Sequence, residues 1–109
     1  MIEIRISRNP QGFISKLEVS GHSGYATEGS DIVCAAASTV IQSIALGADE
    51  VIGYKDYELC VDDGYFKLDL GNPESNMMRM LNILTETAYL TLSQLQEEYP
   101  SYVRISGSL

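Results

Sequence analysis

The feature that most constrains this chain is a change of hydrophobic period near residue 31. Before it, apolar residues recur every second position: Ile2, Ile4 and Ile6 alternate with Glu3, Arg5 and Ser7. That pattern is a half-buried strand. Asn9-Pro10-Gln11-Gly12 follows with turn chemistry, and Phe13 to Val19 alternates again, so the first twenty residues predict a hairpin. After residue 31 the period becomes helical. Val33, Ala37, Val40, Ile44 and Val51 form one stripe, and a helix is predicted from Ile32 to about Ile52, capped by Asp31 and stopped by Gly53.

The second half repeats the scheme. Tyr54 to Val61 and Tyr65 to Leu70 are strand-like, joined by Asp62-Asp63-Gly64, a sequence that tolerates the positive φ angles of a hairpin turn. Asn72-Pro73-Glu74 starts a second helix, with Asn72 as its predicted cap. Met78, Leu81, Thr85, Ala88, Leu92 and Leu95 form its inner face. Pro100 ends it, and Tyr102 to Ile105 is a short terminal strand. The order β-β-α-β-β-α predicts an α+β fold: a two-layer sandwich with two helices on one face of a mostly antiparallel sheet. The other sheet face is expected to be polar or covered by a second subunit. The length of 109 residues suits one domain spanning 1–109.

Charge and cysteine usage narrow the function. A net charge of −8 argues against direct binding to nucleic acid or an anionic membrane, since both require a basic patch. Two cysteines are too few for a disulfide scaffold. The first residues form a strand rather than a signal peptide. The uncharged run Ile32 to Ala48 carries Ser38, Thr39, Gln42 and Ser43 and is short and polar for a bilayer span. A cytoplasmic protein with free thiols is the expectation.

Between hairpin and helix lies Gly21 to Ser30, holding Gly21, Gly24 and Gly29. Glycine-rich stretches of this length form loops, often functional ones. This one contains His22, the single histidine. Just beyond it, Cys34 occupies the third helical position. The first N–H groups of a helix have no internal partner and carry positive dipole, which favours a thiolate. His22 at the end of the second strand and Cys34 at the start of the next element can meet at one sheet edge, forming the pair that activates a cysteine nucleophile. Asp31 is able to cap the helix or orient His22, while its charge opposes a thiolate. Cys60, inside an apolar strand, is expected to be structural. A zinc site from His22, Cys34 and Cys60 lacks Cys-x-x-Cys spacing and a fourth ligand, and no metal or cofactor is implied. The glycine loop lacks the Lys-Ser/Thr ending of a phosphate loop.

Gly21-His22-Ser23-Gly24-Tyr25-Ala26, followed by Gly29-Ser30-Asp31-Ile32-Val33-Cys34-Ala35-Ala36-Ala37-Ser38, resembles the ribosomal-processing cysteine protease family Prp. Length and element order match over essentially the whole chain. The resemblance implies a bacterial enzyme that removes the N-terminal extension of large-subunit ribosomal protein number twenty-seven, cutting after a short hydrophobic, Phe-rich motif. It implies His22 and Cys34 as catalytic residues, with Gly21, Asp31 and Ser38 in support. It also implies a homodimer, with the loop between His22 and Cys34 acting as a cover. Ala37 departs from the larger aliphatic residue expected there. A basic ribosomal substrate agrees with the acidic charge. The rival classes are a non-catalytic ribosome-assembly or peptide-binding module and a metal-binding regulator.

Overall fold

The computed structural model describes residues 1–21, 32–62 and 64–108. Strands β1 (Ile2–Arg8), β2 (Ile14–Ser20), β3 (Glu58–Asp62), β4 (Tyr65–Asp69) and β5 (Val103–Ser108) form one sheet in the order β3-β4-β2-β1-β5. Every pairing is antiparallel except β1 with β5. Helices α1 (Ile32–Leu46) and α2 (Ser75–Glu98) cover one face. This is the two-layer α+β arrangement that the two periods predict.

The opening hairpin shows how local chemistry sets register. Asn9 Oδ1 accepts from the amides of Gln11 and Phe13, both at 3.0 Å, and Gly12 completes the turn at φ +90°. Ser7 pairs with Lys16 and Arg8 with Ile14, so Ser15 is an extra residue on β2. That bulge reverses the alternation. Ile14 and Leu17 both face inward, at 1% and 0% exposure, although an unbroken strand would put them on opposite faces. The sheet's other face is polar. Glu3 pairs with Arg104, and Tyr65 donates to Glu18 at 2.7 Å.

The two helices differ in how they follow their sequences. In α2, Met78, Leu81, Thr85, Ala88 and Leu92 are buried as the stripe predicts, and Leu95 packs at the core's margin. Its cap is Glu74, whose carboxylate accepts from the Met77 amide at 2.8 Å, rather than Asn72. An N-cap needs an oxygen three residues before its donor, and Glu74 holds that register.

In α1 the stripe holds through Val33, Ala37 and Ile44 but shifts elsewhere. Ile41 is buried where Val40 is half-buried. Beyond Leu46 the chain winds as a π turn, Gly47–Ile52, ended by Gly53 at φ +87°. A Cβ on Gly47 would lie 2.9 Å from the Leu84 side chain, so glycine permits close approach of the helices. The wider π turn adds a residue. Ile52 therefore packs on the core, while Val51 is 82% exposed. By length and composition Ile32–Ile52 reaches what a bilayer span needs, more than its uncharged run suggests. Here it serves as a core helix, with Val33, Ala37, Ile41 and Ile44 at 1% exposure or less.

Two strands are displaced from expectation. Tyr54 does not begin β3; it is buried, and its hydroxyl donates to the Leu70 carbonyl. A phenol anchored in this way holds its backbone off the sheet, and β3 starts only at Glu58. The terminal strand extends to Ser108 because it runs parallel to β1, pairing Ile2 with Val103 and Ile6 with Gly107.

Candidate active site

Cys34 is the third residue of α1, within the first turn. It is half-buried and packs against the hydrophobic core. Ser38, one turn later on the same face, is also half-buried. Both line a cleft of about 220 Å³ whose walls are α1, the end of β2 and the β3–β4 hairpin. Val19, Val61 and Phe66 make its apolar side; Asp62 and Tyr65 also line it, although their side chains alternate onto the sheet's other face. The wall of the cleft away from the core is therefore a strand edge.

Gly21 explains how β2 reaches this cleft. Its φ is +87°, and a Cβ there would sit 2.8 Å from the Met1 carbonyl oxygen. Any side chain would clash with backbone, so glycine is required. Its amide donates to the Gly64 carbonyl at 2.9 Å, which ties the exit of β2 to the turn that follows β3. Gly21 lines the same cleft as Cys34. The residue after Gly21 is His22. Thus Gly21, Cys34 and Ser38 come together. His22, Asp31 and the rest of the predicted loop lie outside the described residues.

Tyr65 borders the cleft and turns its phenol to the sheet's polar face. Its hydrogen bond to the Glu18 carboxylate pushes the phenol above its ordinary 10.0, with burial adding to the effect. It therefore remains a neutral donor at working pH. Beyond α1, Lys55 and Tyr57 both donate to Asp49 in the π turn and hold that carboxyl below its ordinary 3.8. Asp49 and Tyr57 close the end of a second cleft, of about 240 Å³, lined also by Ala45, Leu46 and Leu59. Gln42 borders both clefts.

Cys60 departs from expectation. It is exposed, as is every residue of β3. β3 is the last strand of the sheet, and its inward residues Leu59 and Val61 extend past the helical layer. Sequence reading missed this strand edge, together with Gln42 and Tyr65, as parts of the cleft. An alternating apolar strand looks the same whether or not a helix covers it. Among the described residues, no three His, Cys, Asp or Glu side chains gather in a way that would hold a metal.

Comparison with known proteins decides the family. The family model for the cysteine protease Prp matches residues 1–104. The chain belongs to the Prp family. The Prp of Bacillus subtilis (strain 168), a ribosomal processing cysteine protease, is 25% identical, and the match covers 100% of this chain and 99% of that one. Prp of Staphylococcus aureus (strain Mu50) is 27% identical, with 97% and 98% covered. The crystal structure of S. aureus Prp bound to a covalently linked product peptide superposes with a TM-score of 0.78 at 26% identity, covering 99% of this chain and 100% of that one. SMU.848 from Streptococcus mutans superposes at 0.79 with 32% identity, covering 98% and 93%. The fold and the cysteine protease class follow from membership of Prp.

Proposed function

We propose that this protein is a cysteine endopeptidase whose dyad is His22 and Cys34, and that it removes the N-terminal extension of bacterial large-subunit ribosomal protein number twenty-seven after a hydrophobic motif. The observation that carries the reading is the shared cleft. Gly21, held at the β3–β4 turn, and Cys34, in the first turn of α1, line the same cavity, and His22 follows Gly21 directly. The other half of the argument is electrostatic: the positive end of the helix dipole at the first turn favours a thiolate.

The chemistry runs in two stages. His22 takes the Cys34 proton or holds the thiolate as an ion pair. Sulfur then attacks the scissile carbonyl, and first-turn and loop amides stabilise the oxyanion. The tetrahedral intermediate collapses with cleavage of the C–N bond. His22 protonates the leaving amine, and water activated by His22 hydrolyses the thioester. Asp31 and Ser38 support the pair, the former by capping α1 or orienting His22. The enzyme works in the cytoplasm without a metal or organic cofactor. It works as a homodimer, for which Met80, Ile83 and Leu90, apolar and exposed along one face of α2, offer a contact surface.

Incubation with the extended ribosomal protein, followed by mass determination, tests the reading. A single cut that shortens the N-terminus is expected. Cys34→Ala and His22→Ala should each lower the rate by about 10²–10⁴-fold while the fold is retained. Near-normal turnover by Cys34→Ala would overturn the cysteine protease reading, and binding without cleavage by the wild type would leave a peptide-binding module instead.

A further inference from the structure

We propose that the substrate segment binds in extended form as an added strand on the open edge of β3, with alternate side chains entering the two clefts beside α1. The proposal rests on the protease reading for the identity of its ligand, and on the following geometry for its mode.

Among the described residues β3 ends the sheet, with β4 as its partner on one side and no strand on the other. Edges of this kind are normally shielded, because their backbone groups are templates for pairing. No described residue outside β4 pairs with this one. Leu59 and Val61 are 44% and 64% exposed, although each is opposite a core residue, Leu68 at 0% and Phe66 at 4%. They face the helical side of the sheet, and the helices stop short of them.

The space left over is the pair of clefts that meet at Gln42. Val61 borders the one holding Cys34; Leu59 borders the one with Leu46 and Tyr57. Two residues along a strand span about 6.6 Å. Residues n and n+2 of an added strand therefore enter neighbouring clefts, while n+1 faces outward. From Cys34 to Leu46 is twelve residues of helix, about 18 Å, which an extended peptide covers in about five or six residues. The nucleophile sits at one end of this track, so the occupant is a peptide substrate and the distal cleft is a second specificity pocket for an apolar side chain.

Charge selects against a second copy of β3 as the docking strand. Antiparallel pairing of two copies of β3 in the register centred on Cys60, which pairs the strands over their whole length, brings Glu58 opposite Asp62, and like charges directly opposed are destabilising. The same carboxylates, with Glu50 at the distal cleft, favour a partner with basic residues around its apolar ones.

The test is a backbone scan. A ten-residue peptide across the cleavage site is made with single N-methyl groups at successive positions, which remove one amide donor each. Binding to Cys34→Ala is read by fluorescence anisotropy and cleavage by the wild type. Kd and kcat/KM should worsen by about tenfold at alternate positions and by less than threefold between them. Leu59→Asp, at an exposed position, should lower kcat/KM about tenfold for the ten-residue peptide. It should leave unchanged both a peptide truncated before the distal cleft and the alkylation of Cys34 by iodoacetamide. A flat scan, a scan without periodicity, absence of binding, or an indifferent Leu59→Asp overturns strand addition while cleavage by the wild type stands. Loss of cleavage with a periodic Kd scan retained overturns the protease reading instead.

Discussion

The two cysteines sit on opposite sides of one cleft wall and show that accessibility and reactivity are separate properties. Cys60 is exposed on the sheet's outer face, on an edge strand between Glu58 and Asp62 and opposite Lys67. Cys34 is half-buried against the core. Ranked by access, Cys60 is the thiol to attack. Ranked by surroundings, it is Cys34, because only Cys34 lies in the first turn of a helix, where backbone amides stabilise a negative sulfur, and in a cleft able to hold a substrate.

Alkylation with iodoacetamide at pH 6 sets the two rankings against each other, and it has the largest expected effect. A thiol whose anion is stabilised by first-turn amides holds more thiolate at that pH, and the gain outweighs its loss of intrinsic nucleophilicity. The net preference for Cys34 should be about tenfold, read by peptide mass mapping. It should shrink as pH rises toward 9, where any ordinary thiol ionises, so the selectivity is a low-pH property. Preferential labelling of Cys60 at pH 6 would break the comparison and leave exposure as the sole determinant.

Ser38→Ala is the next step down. The hydroxyl is one turn beyond Cys34 and lines the same cleft. Removing one neutral hydrogen-bonding group should cost about three- to tenfold in kcat/KM. It should leave the helix and its Val33–Ala37–Ile41 stripe undisturbed, as thermal unfolding would show. A rate unchanged within error would assign Ser38 to the wall alone.

Much of this was legible from residue pattern, and the exceptions share a cause. The stripe of α2 is correct to its end because nothing interrupts its 3.6-residue period. The stripe of α1 fails at Val51 because Gly47 and its π turn shift the phase, and a glycine pressed against Leu84 is a tertiary fact with no local signature. Tyr54 looks like a strand residue until its hydroxyl finds Leu70. The candidate site divides in the same way. Gly-His followed by a helix start bearing Cys is visible in the sequence. The cleft's outer wall depends on which strand ends the sheet, and strand order is set by packing rather than by any one strand's residues.

Cys60→Ser has the smallest expected effect and is the most direct check on the contrast. The apolar run Leu59-Cys60-Val61 implies a structural Cys60, and its exposure on the edge strand β3 removes the basis for that. Serine is nearly isosteric, and an exposed site lets its hydroxyl bond to water, so stability should change by no more than about 0.5 kcal/mol. Cleavage should change by less than twofold, because residue 60 points away from the face that carries Leu59 and Val61. An inactive but folded Cys60→Ser would mean that the outer face of β3 takes part in the reaction. The cleft lined by Cys34 would then be only half of the site.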